Sequence, residues 1–255
     1  MDFQTFLKMS KRVRYLLTIT LALVTSCYEE SDFAKANFTF DELVKTVEIE
    51  KTNLLADGMD ESLVKILFPP NTTNDTINFI ATLSRGNFKN NQNDTINIEP
   101  KLETNESGNL EKSIGITIIA PKEVGTSELR LELNGFVKVI NLTFERSYPD
   151  AIQVVAAPRV FSRKRVENVE LKTVLFKEIG QPSFNTKISY EAVDTIGNKI
   201  GQIVAKCELD TSNTSCTALF NIWPDTSYLG RINVKGFVDE APIDISNEIS
   251  LFTIE

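Results

Sequence analysis

Three cysteines carry the most distinctive side-chain chemistry in this sequence, at positions 27, 207 and 216. A thiol can form a disulfide, accept a lipid, bind a metal or act as a nucleophile. Cys207 and Cys216 flank a polar stretch, residues 208–215, that separates two runs of strand-like composition. In an oxidising compartment this arrangement predicts a disulfide across a hairpin, with a redox or metal-binding pair as the alternative. We favour the disulfide because no third cysteine lies near the pair in the sequence and there is no histidine.

The absence of histidine removes the commonest general base, the commonest metal ligand and every histidine-dependent catalytic triad. The 35 acidic residues are scattered over apparent polar faces, so no pair of carboxylates stands out as a glycosidase site. No glycine-rich phosphate loop or Gly-x-Ser-x-Gly motif occurs in a convincing context. We therefore predict a protein that is not an enzyme and uses no cofactor or metal. A hydrolase with an unrecognised carboxylate site is the alternative.

Two aromatic residues are candidates for ligand contact. Trp223, which precedes Pro224, and Tyr228 could stack against the faces of sugar rings. Trp223 is the one tryptophan of the chain, and this favours the alternative, in which it is a core residue or the tip of a hairpin.

Two charged clusters are further candidates. Residues 159–165 (Arg-Val-Phe-Ser-Arg-Lys-Arg) could meet an anionic lipid headgroup or glycan, although a solvated strand end is the interpretation we favour. Asp57, Asp60 and Glu61 could bind calcium together with loop carbonyl groups. Their spacing matches no regular calcium-binding loop, so a solvated acidic turn is preferred there.

The first 26 residues have the pattern of a secretory signal. Residues 8–14 are basic, residues 15–24 are uncharged and largely apolar, and small residues precede Cys27. The apolar run is about half of the roughly 20 residues that a membrane-spanning helix needs. Residues 23–27 (Leu-Val-Thr-Ser-Cys) resemble a bacterial lipobox, which implies cleavage before Cys27 and lipid attachment to its thiol. An ordinary signal peptide with an incidental cysteine and an uncleaved anchor helix are the alternatives.

The lipobox resemblance implies a protein held at the outer membrane by its lipid anchor. The acidic residues that follow Cys27, in the segment 28–32, resemble the surface-export signal of Bacteroidetes lipoproteins. A solvated acidic tether is the alternative, so a cell-surface position is expected and the periplasmic face is the other possibility. The formal net charge of -8 disfavours a nucleic-acid partner. The sequence leaves the protein or glycan partner unidentified.

Three copies of Asp-Thr-Ile resemble the O-glycosylation signal of exported Bacteroidetes proteins. The resemblance implies glycans on Thr76, Thr95 and Thr195, whose hydroxyl groups should then be exposed on loops or strand ends. Chance recurrence in a chain rich in these three residue types is the alternative.

The rest of the chain shows the period-two alternation of half-buried strands. Leu129, Leu131 and Leu133 alternate with polar residues, and residues 114–118, 140–144 and 169–175 do the same. Turn signals such as Asn134-Gly135 separate these runs. Residues 41–50 are the best candidate for a short helix. The pattern predicts an all-β fold.

An internal repeat indicates two domains. Residues 133–137 (Leu-Asn-Gly-Phe-Val) recur as residues 234–238 (Val-Lys-Gly-Phe-Val) about 100 residues later, which is the size of one immunoglobulin-type sandwich. Pro149-Asp150 lies between the copies and marks a natural boundary. We predict a signal peptide over 1–26, a lipidated cysteine and acidic tether over 27–45, and immunoglobulin-like domains over 46–147 and 148–255.

A family resemblance supports this organisation. Residues 54–58 (Leu-Leu-Ala-Asp-Gly), followed by 63–66, resemble the opening of bacterial Ig-like domains of the invasin/intimin type. Residues 80–88 resemble their next strand and glycine turn, and residues 188–190 resemble that strand in the second domain, which lacks the Ala-Asp-Gly turn. The resemblance implies a rigid spacer or adhesive module.

We therefore expect a non-catalytic surface lipoprotein whose binding residues lie on the loops at the far end of the second domain. A glycan-binding accessory lipoprotein of a polysaccharide-uptake system is the alternative.

Overall fold

The computed structural model describes residues 39–69, 77–89, 94–104, 108, 110–164, 167–209, 212 and 214–255. The predicted signal peptide, Cys27 and Thr76 lie outside these residues. The segment Phe40–Glu255 forms one compact unit. The regular secondary structure of its described residues is almost entirely strand and confirms the all-β prediction, with a single short helix, α1 (Phe40–Leu43).

The first immunoglobulin-like sandwich consists of two sheets. One has the strand order β1-β3-β8-β5, with β7 also paired to β8, and the other has the order β2-β10-β9-β4-β6. The parallel pairing of β2 with β10 is the exception among antiparallel ladders. The strands are β1 (Thr46–Ile49), β2 (Asn53–Leu55), β3 (Glu61–Phe68), β4 (Phe79–Leu83), β5 (Asn87–Phe88), β6 (Thr95–Asn97), β7 (Lys101–Thr104), β8 (Leu110–Ile119), β9 (Gly125–Leu133) and β10 (Phe136–Glu145).

The second sandwich repeats this plan with two four-stranded sheets. Their strand orders are β11-β13-β16-β15 and β12-β18-β17-β14. The short β12 pairs in parallel with β18, as β2 pairs with β10 in the first sandwich. The strands are β11 (Ala151–Ala157), β12 (Val160–Ser162), β13 (Val169–Phe176), β14 (Ile188–Val193), β15 (Gln202–Leu209), β16 (Ser215–Asn221), β17 (Arg231–Val238) and β18 (Ser246–Ile254).

Alternation places one face of each strand in a core. In the first sandwich Ile116 of one sheet and Leu131 of the other belong to the same buried cluster. In the second, Leu171 and Ile232 do the same. Burying one such side chain contributes roughly 1.5–3 kcal/mol, so the two faces of each sandwich hold together mainly by apolar contact.

The amino-terminal end of the first sandwich differs from the sequence prediction in two ways. The predicted tether reached residue 45, yet Phe40 and Val44 are buried in the first core. The predicted helix over 41–50 is wrong beyond Leu43, because Thr46–Ile49 pairs with β3 instead. Both differences have one cause: the apolar side chains of this segment gain burial against the sandwich, and a strand supplies its backbone with partners.

The predicted Asn134-Gly135 turn is present, but the repeat that contains it does not mark equivalent positions. Leu133 pairs with Phe136 across a two-residue hairpin, and both turn residues have positive φ, 50° and 87°. Gly236, the matching residue of the second copy, lies inside β17 opposite Asn247. Its α-carbon faces Val154 so closely that an added Cβ would come within 2.8 Å of that side chain. The repeated residues therefore form a turn in the first copy and the interior of a strand in the second.

Candidate interaction surface

The Ala-Asp-Gly turn forms a joint between the two sandwiches. Asp57 is 4% exposed, and its carboxylate accepts the backbone N–H groups of Met59 (2.8 Å) and Asp60 (2.7 Å). Gly58 follows with a φ of 78°, a value that favours glycine. The Asp57 carbonyl accepts the N–H of Gln181 at 3.0 Å, so the turn is held from both sides.

Ser183 is the centre of this joint. Its hydroxyl donates to the carbonyl of Ala56 at 2.7 Å and accepts the N–H of Ser147 at 2.8 Å. The N–H of Phe184 donates to the carbonyl of Lys122 at 2.8 Å, and the Lys122 ammonium lies 5.9 Å from the Phe184 ring centroid. These bonds connect loop 177–187 of the second sandwich to the first one.

Each acidic side chain of this turn has a protein partner, and Asp57 is buried. One carboxylate oxygen of Asp60 pairs with Lys51 and the other accepts the N–H of Leu55 at 2.7 Å, while Glu61 pairs with Lys89 at 2.8 Å. Burial raises the pKa of Asp60, but the hydrogen bonds from Lys51 and Leu55 outweigh it and hold the pKa below its ordinary value. Among the described residues no cluster of three or more acidic or cysteine side chains could hold a metal ion.

The predicted disulfide is confirmed. Cys207 of β15 and Cys216 of β16 are bonded, with 5.3 Å between their Cα atoms. Cys216 is buried and Cys207 is half-buried beside a cleft of about 900 Å³ that Ile188, Tyr190 and Ile203 also line.

The cleft lies between β14 and β15, the edge strands of the two sheets. Tyr190 shares a 2.6 Å hydrogen bond with the buried Thr173 hydroxyl. Burial raises the pKa of Tyr190. Its phenol serves as a hydrogen-bonding group of the core.

The far end of the second sandwich is formed by residues 158–164, 194–201 and 222–230, opposite the joint. It contains both aromatic residues that were predicted to contact a ligand, and the two differ in exposure. Trp223 is 55% exposed on the loop after β16, which excludes the core interpretation. Tyr228 is half-buried against the second core, and its hydroxyl donates to the carbonyl of Arg231 at 2.7 Å. Trp223 is therefore accessible to a ligand, whereas Tyr228 fixes the loop.

Sequence reasoning missed a second feature of this end. Val160, Leu229, Phe252 and Ile254 are between 45% and 54% exposed. Leu251 and Thr253 are buried on β18, so the alternating residues Phe252 and Ile254 face solvent. The sequence gives no signal for this, because Phe252 and Ile254 are as apolar as their buried neighbour Leu251. We call these four residues, with Arg159, Arg163 and Arg231, the apolar–basic patch.

Two of the three threonines suggested for glycosylation are described, and both are exposed. Thr95 begins β6, and Thr195 lies in the turn that follows β14. This meets the exposure requirement, while the modification itself stays a prediction. No helix in the described part of the chain is long and apolar enough to cross a membrane.

The structure is similar to several solved structures. Invasin, a bacterial integrin-binding protein, matches with a TM-score of 0.55 at 14% identity, over 82% of this chain and 38% of that chain. The adhesin InvE of Yersinia pseudotuberculosis matches with a TM-score of 0.48 at 12% identity, over 82% and 58% of the two chains. A β-glycosidase from Bacteroides vulgatus reaches a TM-score of 0.31 at 9% identity, over 81% and 24%.

The chain thus spans less than two thirds of each of these proteins. The likeness to invasin confirms the expected Ig-like sandwich fold, and at this identity it shows the fold alone. No protein-family model matches the sequence, and a search of curated proteins found no match.

Proposed function

We propose that this chain is a non-catalytic surface lipoprotein that acts as an adhesion or interaction module. Cys27 carries the lipid anchor, and the far end of the second sandwich meets an external partner. The observation that carries the proposal is the asymmetry of the second sandwich. Its loop 177–187 is hydrogen-bonded to the first sandwich, and exposed apolar and basic side chains collect at its opposite end.

The joint supports such a role mechanically. A buried serine with two partners and a buried aspartate turn leave the contacting loops little freedom, since breaking these bonds would strand polar groups away from water. A binding end held this way loses little conformational entropy when a partner docks.

Protease shaving of intact host cells, combined with labelled palmitate, tests the proposal. We expect the chain to incorporate palmitate, to lose the label in a Cys27→Ser variant, and to be digested from outside the cell. A labelled but protected chain would place the protein on the periplasmic face and contradict the surface role. A chain without label would refute the lipoprotein assignment.

A second candidate, glycan binding, is favoured by one observation, the exposed ring of Trp223. Aromatic faces stack on sugar rings, and the neighbouring Tyr228 holds the loop in place. A glycan array with the purified full-length chain and its Trp223→Ala variant tests it. Loss of signal in that variant, with a signal retained in Phe176→Ala, another exposed aromatic position, would support glycan binding.

A further inference from the structure

We infer that the apolar–basic patch docks a protein surface that has an apolar centre and an acidic rim. This inference rests on the proposed function, because it names the partner chemistry for the binding end assigned there. Trp223 is not needed for it, so the two ligand chemistries can be separated by substitution.

Backbone pairing assembles the apolar centre of the patch. Val160 lies beside Phe252 in the parallel ladder of β12 and β18. The N–H of Thr253 donates to the carbonyl of Gly230 at 2.9 Å, and this places Leu229 opposite Ile254 on the extension of the β17–β18 register. The four side chains therefore lie at neighbouring register positions on the outer face of the sheet. Each is between 45% and 54% exposed, and exposed apolar residues grouped in this way are typical of an interaction site.

Two arginines flank that centre through backbone pairing, and a third is held at the same end of the sandwich. Arg231 pairs in register with Phe252 on one side, and the carbonyl of Arg159 accepts the Phe252 N–H at 2.8 Å on the other. Arg163 is held by a 2.7 Å hydrogen bond to the carbonyl of Ser227 and by an ion pair with Glu255 at 3.7 Å. The whole chain has a formal net charge of -8, so a basic cluster here runs against its overall charge. Such a cluster attracts an acidic partner and steers its approach.

The chemistry of the centre favours a protein over the other occupants. Three of the four centre residues, Val160, Leu229 and Ile254, are branched aliphatic side chains, which offer a sugar no flat ring. They pack well against apolar side chains at the core of a protein interface. Aromatic and arginine residues are also the types that dominate such interfaces. A second copy of this chain would bring the same arginines together, and like charges oppose that contact.

Selection from a phage-displayed library of random 12-residue peptides on the purified full-length chain tests the inference. We expect enriched peptides that combine Asp or Glu with apolar residues. The variants Phe252→Ser and Arg231→Glu should each weaken binding of these peptides at least tenfold, and added salt should weaken it as well. Both positions are exposed, so both variants should fold.

Matched controls lie on the other sheet of the same sandwich. Phe176 is 47% exposed and Lys172 is exposed on β13, so Phe176→Ser and Lys172→Glu repeat the two chemical changes away from the patch. They should leave peptide binding unchanged.

The inference would be overturned by no enrichment of acidic peptides, by peptide binding that the patch variants do not weaken, or by a concentration-dependent dimer that Phe252→Ser abolishes. Binding of heparin in place of peptides, lost in Arg231→Glu, would assign an anionic glycan instead and also overturn it. If the chain is digested at the cell surface but no acidic peptides are enriched, only this inference fails and the proposed function stands. A periplasmic or unlabelled chain defeats the proposed function.

Discussion

The hydroxyl of Ser183 in the second sandwich donates to the carbonyl of Ala56 in the first at 2.7 Å, and both residues are buried. This hydrogen bond joins segments that lie far apart in sequence. It makes the Ala-Asp-Gly turn, which the sequence identified as a family feature, one half of the contact between the sandwiches.

Removing that hydroxyl should weaken the joint. Ser183→Ala leaves the Ala56 carbonyl and the Ser147 N–H without this partner in a buried place, and such a loss costs about 1–3 kcal/mol. Urea unfolding should show a lower free energy of unfolding. Ser227→Ala, an exposed serine on the far-end loop, is the control and should change stability by less than about 0.5 kcal/mol. Equal stability of Ser183→Ala and the original chain would contradict this account of the joint.

Gly180 should resist substitution because of Asp57. Its φ is 76°, and an added Cβ would lie 2.5 Å from a carboxylate oxygen of Asp57. Gly197 has a φ of 90° with nothing within 4 Å of its added Cβ. Both Gly→Ala variants carry the backbone strain of about 1–2 kcal/mol, and Gly180→Ala adds the clash. We expect thermal unfolding to show a larger loss for Gly180→Ala. Equal losses would mean that the joint accommodates the added Cβ without a loss of stability.

The disulfide should stabilise the second sandwich because it restricts the conformations of the unfolded chain. Closing the loop between Cys207 and Cys216, which are separated by 9 positions, contributes about 3 kcal/mol on the chain-entropy account. The double variant Cys207→Ala/Cys216→Ala should have a free energy of unfolding that is lower by about 3 kcal/mol, as measured by urea titration. A reductant should destabilise the original chain similarly and leave the double variant unaffected. An effect of reductant on the double variant would show that the reductant acts at a site other than this disulfide.

Asp60 should make stability depend on pH in the acidic range. Its folded pKa is lowered by Lys51 and Leu55 below the ordinary value of 3.8, so the ionised form is favoured by folding. This contribution is fully present above the unfolded pKa and is lost as the pH falls through the folded pKa. The difference in stability between the original chain and Asp60→Asn should be constant above about pH 5 and shrink below about pH 4. A difference independent of pH down to pH 2 would refute the role of this carboxylate.

Local patterns were sufficient where one strand or one turn decides the structure. The alternation of Leu129, Leu131 and Leu133 correctly predicted which side chains are buried, because the period of a strand is fixed by its backbone. The Asn134-Gly135 hairpin followed from the positive φ that such a turn requires. The bridge between Cys207 and Cys216 was predictable because both lie on adjacent strands close in sequence.

Features that depend on distant segments were not predictable. Nothing near Asp57 in the sequence indicates Gly180 or Gln181, so the turn was interpreted as solvated although Asp57 is buried. Phe40 and Val44 follow a charged segment, and only the first core shows why they are buried. The patch around Phe252 required the pairing of β12, β17 and β18, three strands separated along the chain.

The strand content and the fold class followed from residue periodicity, and short motifs predicted the disulfide and the lipid anchor. Which polar groups are buried at the joint, and which apolar side chains remain exposed at the far end, depends on how distant segments pack. The physical reason is that burial is a property of pairs of surfaces. A residue's own pattern shows which face it occupies, and only the packing of other segments determines whether that face meets water.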